Sequence, residues 1–213
     1  MSGPYRIPPV PPPDGSPEKP RIDLGALRST HLRGGLIGRW PEVELHDKGL
    51  LVRHSPFEEV ELPFEAIDAI HYDYEAIIPR MPEVSLVGFD GEVSVLSRDL
   101  KELDHLLALL DRQVTVPIIT RAKEGLARGE RMVFGPLVVE LDGVILNAQS
   151  LAWGHLSRVD AERDALVFFA REPLGRFGWA RVRDVPHPRA LLEVLRLRTT
   201  VVARGLPLLG STR

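Results

Sequence analysis

The second half of this 213-residue chain repeats the first, and nothing else in it limits the fold as tightly. Leu62-Pro63-Phe64-Glu65-Ala66-Ile67-Asp68-Ala69-Ile70 aligns without a gap on Leu151-Ala152-Trp153-Gly154-His155-Leu156-Ser157-Arg158-Val159. Leu62, Ile67 and Ile70 fall on Leu151, Leu156 and Val159, and the aromatic Phe64 falls on Trp153. Upstream, Leu45–Val52 and Glu140–Leu146 each set an Asp/Gly turn between leucine-rich or β-branched runs, a pattern that predicts a hairpin. Downstream, each copy closes on an apolar stripe at helical spacing: Leu100, Leu103, Leu107, Leu110 and Val114 in one, Leu191, Leu192, Val194 and Leu195 in the other. Asp99 with Glu102 reads as a capping box, and Pro188 suits a first helical position. The aromatic and the expected helix start lie 35 residues apart in the first copy (Phe64 to Asp99) and 34 in the second (Trp153 to His187).

Between these landmarks the pattern is strand-like. Val84–Phe89, the Asp90-Gly91 turn and Glu92–Leu96 make one hairpin; Ala165–Ala170 and Arg176–Val182 make another. An amphipathic helix cannot bury its leucines alone, and a curved antiparallel sheet with an open end is a natural surface for it. The expectation is a mostly-β, α+β chain. Ahead of the repeats, residues 1–20 are too proline-rich for helix or sheet and read as a disordered or polyproline II arm, a tether or, at Pro8–Pro11, a ligand for an aromatic-lined groove. The expected divisions are 1–20, an acidic domain at 21–117 and a basic domain at 118–213. Gly34–Gly38 and Gly125–Gly129 read as chain reversals at the unit boundaries.

On these residues the chain resembles bacterial pleckstrin-homology-like (PH-like) domain proteins in tandem. In particular it is similar to uncharacterised bacterial families with a D-x-G-L-x-V strand, an L-P-W-x-x-I element and a late helix. The matching residues are Asp47, Gly49, Leu50, Val52, Leu62, Pro63, Phe64 and Ile67, and more loosely Asp142, Gly143, Leu146, Leu151, Trp153 and Leu156. The resemblance implies two curved antiparallel sheets or partly open barrels, each closed by a C-terminal amphipathic helix. The second copy departs from it at Ala152 and has five fewer residues between the hairpin glycine and the leucine. Because loops carry ligand sites in such sheets, a binding role need not be shared by both copies.

Few catalytic chemistries are open to the chain. Without cysteine there is no disulfide framework, thiolate nucleophile or cysteine-ligated metal, which suits a reducing compartment, and the cytoplasm is the expected location. Seven histidines show no metal-ligand spacing, and neither a G-x-S-x-G elbow nor a phosphate loop is present, so no cofactor and no enzyme are expected. His71-Tyr72-Asp73-Tyr74-Glu75 is the densest polar-aromatic cluster; its alternation reads as one solvated face rather than a general base beside a phenol. No apolar run approaches the length of a transmembrane segment.

Charge is divided unevenly. Residues 21–117 hold ten basic and eighteen acidic side chains, residues 118–213 fifteen and ten, within a whole of net charge −3. Complementary potentials of this kind steer association. Three readings compete: the units pack on one another, copies associate head to tail, or the basic unit faces an anionic partner. For the last, the candidate ligand-binding residues are Arg171, Arg176, Arg181 and Arg183, with Trp179 and Phe177 interleaved. Strand parity sets Arg181 and Arg183 with Trp179 and Arg176 opposite, unless Gly175 or Gly178 permits a bulge. The expectation is a solvated basic face over a buried Trp179, with an anionic-ligand site as the alternative. Glu58, Glu59, Glu61 and Glu65 form an acidic edge that discourages anionic lipid from the first unit. These readings combine as a non-catalytic interaction or scaffold module that binds a protein or peptide partner or self-assembles through complementary charge. The alternative is peripheral binding of anionic lipid headgroups by the second domain; nucleic acid is not expected.

Overall fold

The computed structural model describes residues 21–32, 42–74, 83–91, 93–96, 100–162, 164–171 and 175–203, and over these the chain traces the same path twice. First comes a four-stranded meander of β1 (Leu27–Leu32), β2 (Glu42–His46), β3 (Gly49–Ser55) and β4 (Glu58–Pro63). A 3-10 turn at Phe64–Ala66 leads into a three-stranded meander of β5 (Ile67–Asp73), β6 (Glu83–Gly88) and β7 (Val93–Leu96), and then helix α1 (Leu103–Leu110). A π turn at Asp111–Thr115 carries α1 into α2 (Val116–Ala127). The second unit repeats the order with β8 (Met132–Phe134), β9 (Leu137–Val139), β10 (Gly143–Leu146) and β11 (Gln149–Ala152), then β12 (Leu156–Ala161), β13 (Ala165–Ala170) and β14 (Gly175–Arg181), then α3 (Pro188–Leu195). A last strand, β15 (Thr200–Ala203), follows. The chain is mostly β, in four sheets with one long helix, and none of the described sheets closes into a barrel.

The repeat holds at the level of single hydrogen bonds. Gly49 pairs with Pro63 and Gly143 with Ala152; a Cβ on either glycine would collide with the carbonyl oxygen of the aligned leucine, Leu62 or Leu151. Only glycine permits that approach. The aligned aromatics donate equivalent backbone bonds, Phe64 N–H to the Lys48 carbonyl at 2.8 Å and Trp153 N–H to Asp142 at 3.1 Å. β5 and β12 both carry a register shift one residue in, between Ile67 and Ala69 and between Leu156 and Arg158. Both α1 and α3 are entered through a left-handed residue, Glu102 at φ 58° and His187 at φ 49°. The expected hairpins at Asp47–Gly49, Asp90-Gly91 and Asp142-Gly143 are present.

Three expectations need correction. Glu102 occupies the cap position itself, in a left-handed conformation, and makes no capping hydrogen bond with its side chain; Asp99 lies outside the described residues. The first helix does not end near Val114 but continues to Ala127, so the expected division between 117 and 118 falls inside it. Pro117 lacks an N–H and its ring crowds the carbonyl four residues back, and the wider π turn lies immediately before it, where that crowding is relieved. Within Gly125–Gly129 the expected reversal falls at the last residue, while Gly125 sits in α2 against the Met132 side chain. The reversal comes at Gly129, φ 78°, where Gly129 N–H bonds the Leu126 carbonyl at 3.1 Å and Glu130 N–H bonds Gly125 at 2.9 Å, a Schellman closure. Finally, the second sheet is not wholly antiparallel, because β15 returns after α3 and pairs in parallel with β12, Val159 opposite Val201. The arm at 1–20 and Gly34–Gly38 lie outside the described residues.

One continuous core runs through both units. Leu103, Leu106, Leu107 and Leu110 of α1 and Leu191, Leu192, Val194 and Leu195 of α3 are all buried. At about 1.5–3 kcal/mol for each buried leucine, this burial offsets much of the entropy lost in ordering the helices.

Candidate functional site

Among the described residues β14 pairs only with β13 and is an edge of its sheet. Phe168 faces Gly178 and Phe169 faces Arg176, so Phe177 is an extra residue on β14, a bulge where Gly178 stands. A Cβ at Gly178 would lie 2.6 Å from Leu146 of β10, so glycine lets the bulged strand press against the other sheet. The bulge overturns the parity count. Trp179 is not buried but 44% exposed, and Arg176 and Arg181 both reach its ring, at 5.8 and 6.0 Å from the centroid. Neither arginine has a carboxylate partner among the described residues, so their charge stays available at an open strand edge. Beside them lies a groove of about 510 Å³ lined by Gly178–Arg181, by Pro136, Leu146, Asn147 and Gln149, and by the acidic Asp184. Its far rim is the β10–β11 turn, where Asn147 and Ala148 both have positive φ, 48° and 67°. Ala148 stands where a glycine is the unstrained choice.

Of the candidate residues, the structure thus brings Arg176, Trp179 and Arg181 together. Arg171 lies just past the Ala170–Gly175 pair at one end of β13. Arg183 follows β14 in a 3-10 turn and is held by acids, 4.0 Å from Asp73 and 3.8 Å from Asp184. Neither reaches Trp179. On the acidic side, β4 is an edge of the first meander, with Glu58 and Glu59 exposed. Across the sheet Arg53 gathers Glu44 at 2.5 Å, Glu59 at 3.4 Å and Glu42 at 3.7 Å. Partial burial works against ionised Glu44, but the Arg53 hydrogen bond and charge outweigh it and hold its carboxyl below the usual range.

Sequence reasoning missed the joint between the units. His187, at the head of α3, donates its backbone N–H to Ile70 at 2.9 Å and its Nε2–H to the Asp68 carbonyl at 2.7 Å. His71 donates Nδ1–H to the Arg183 carbonyl at 2.9 Å. Arg189 of α3 makes a buried ion pair with Asp111, to which Thr115 donates at 3.2 Å, and lies 5.2 Å above the Tyr72 ring. Burial raises the Asp111 carboxyl despite Arg189 and raises the Tyr72 phenol strongly; it lowers His187. The signal for Arg189 was its helical position: it stands three residues before the buried Leu192, on the apolar stripe. Tyr72 is buried beneath Arg189, while its neighbours His71 and Asp73 turn to Arg183.

Among the described residues no three ligating side chains gather around a metal position, and no helix is long and apolar enough to cross a membrane. No protein-family model matches the chain, and no curated protein is similar to it.

Proposed function

We propose that the chain is a non-catalytic interaction module, two PH-like domains in tandem working in the cytoplasm, that holds an acidic protein or peptide segment on the β14 edge. The observation that carries this reading is Trp179, exposed at a strand edge with the Arg176 and Arg181 guanidiniums 5.8 and 6.0 Å from its ring centroid and a groove beside it. Such an edge offers an extended segment backbone hydrogen bonds, while the indole and guanidiniums supply contact area and choose acidic side chains. The order of four strands, three strands and a helix in each half supports the PH-like reading of both.

The same trio suits an anionic bilayer surface, where an amphipathic ring sits at headgroup level beside basic residues. Two titrations separate the readings. A fluorescein-labelled decapeptide rich in glutamate and phenylalanine is expected to bind with a dissociation constant of about 10⁻⁶–10⁻⁴ M, weakened at least about tenfold by Trp179→Ala or by R176A/R181A. Vesicles of phosphatidylcholine with and without phosphatidylserine are expected to bind equally little. Loss of the peptide signal, with Trp179-dependent binding to the phosphatidylserine vesicles, would replace the protein partner with lipid.

A further inference from the structure

The first unit carries an edge of the opposite sign. Among the described residues β4 pairs only with β3, its outer residues Glu58 and Glu59 are exposed, and Phe57 at the preceding hairpin tip is 80% exposed. Towards its other end the edge is flanked by the incoming chain, where Ile22 N–H donates to Glu61 at 2.6 Å and Arg21 lies 3.9 Å from Glu59, so the exposed stretch among the described residues is Phe57–Glu59. β14 presents the converse: Arg176, Arg181 and a half-exposed Trp179.

An unpaired strand edge is a template for another strand, and charge decides which one. Two β14 edges brought together oppose arginine to arginine, and two β4 edges oppose glutamate to glutamate. Like charges directly across a strand pair are destabilising. Only the unlike combination, β4 against β14, sets acid against base, with Phe57 available to Trp179. The division of charge between the halves, acidic over residues 21–117 and basic over residues 118–213, orients two approaching copies the same way. We infer that the segment held by the Trp179 edge is β4 of a second copy of this chain, joining molecules head to tail. The inference rests on the docking role given above to β14 and names the partner. Because the two patches differ, the contact is heterologous and leaves one free edge at each end, so growth continues past a dimer unless a ring closes.

Sedimentation velocity of the full chain between about 5 and 200 μM, at about 50 mM and 500 mM salt, tests it, since exposed charges are screened over about 14 Å at the first and 4 Å at the second. The wild type is expected to show species larger than a dimer at low salt, with apparent affinity falling at least about tenfold at high salt. E58R/E59R makes both edges basic and R176E/R181E makes both acidic. Each alone is expected to be monomeric, with circular dichroism like that of the wild type, and an equimolar mixture is expected to associate again. A peptide of residues 55–64, which spans β4, should dissolve the wild-type assemblies whether or not the variants fold. A wild type that stays monomeric to 200 μM at low salt overturns the inference. So does association that survives either charge reversal or fails to return on mixing, or assemblies indifferent to the peptide. If the glutamate-rich decapeptide binds the Trp179 edge while the chain stays monomeric, the docking role stands and only the identity of the partner is lost.

Discussion

The two units share a frame and differ at its edges. In the first, the outer side of β5 meets the other unit, with the Ile70 carbonyl taking the His187 N–H and His71 reaching Arg183. In the second, the corresponding strand β12 is covered by the chain's own β15. The cause lies in the helices. The first runs on through the π turn and α2 and delivers the chain to the second unit; α3 stops at Leu195, the chain turns over Arg196–Thr199, and its next residues lie along β12. The hairpins differ too. The first unit spends its five additional residues on a longer β3–β4 hairpin tipped by Phe57, whereas the second turns tightly at Asn147-Ala148. A duplicated frame therefore keeps its buried contacts in both copies and places its differences where strands end, which is where binding surfaces arise.

The largest effect should come from the joint. Arg189→Met takes the buried Asp111 carboxyl's counter-charge away and should cost about 3–5 kcal/mol in urea unfolding. R189M/D111L removes both charges and should recover most of that loss. If the double variant is no more stable than the single one, the pair is not what ties α3 to the π turn. Next come the matched glycines. Gly49→Ala and Gly143→Ala each force a Cβ against a backbone carbonyl and should each cost about 1–3 kcal/mol. A loss at one site and none at the other would break the equivalence of the two hairpins.

These glycines mark how far the sequence was legible. Hairpins at Asp47–Gly49, Asp90-Gly91 and Asp142-Gly143 and both leucine rows are written in local spacing, which the chain can satisfy without knowing its neighbours. The continuation past Pro117 was not, because a proline normally ends a helix and only the preceding π turn relieves it. β15 is four residues long and exists because β12 offers an edge, a tertiary fact. Of the five residues proposed for the site, the exposure of Trp179 and its contact with Arg176 turn on one bulged residue, Phe177, which shifts strand parity. The gathering of Arg189, Asp111 and Tyr72 joins residues distant in sequence, and only Arg189's place on the apolar stripe hints at it.

A smaller effect distinguishes the two caps. His187 and Glu102 both precede their helices in a left-handed conformation, but His187 is buried with its pKa lowered by that burial, and Asp68, His71 and Arg121 lie around it. A histidine with a folded pKa below its unfolded value of about 6.5 stabilises the fold fully above that value, and the contribution is lost as pH falls through the folded pKa. Stability should therefore fall as pH drops below about 6.5, and His187→Asn, which tolerates the left-handed cap without titrating, should flatten the decline. An unchanged slope would assign it to other groups. The smallest effect belongs to the hairpin turn the first unit lacks: Ala148→Gly relieves a positive φ and should add up to about 1 kcal/mol, read as a rise in midpoint.

The claim beneath all of this is that two copies of one frame share a single core. Residue-resolved hydrogen exchange reads it through two matched pairs of amides: Phe64 with Trp153, bonded to Lys48 and Asp142, and Phe89 with Arg171, bonded to Ala66 and His155. The account expects all four to be protected, the two members of each pair within about tenfold of each other, and all four to lose protection together when Arg189→Met loosens the joint. Protection of one member of a pair with free exchange of the other, or a second unit that opens while the first stays closed, would contradict it.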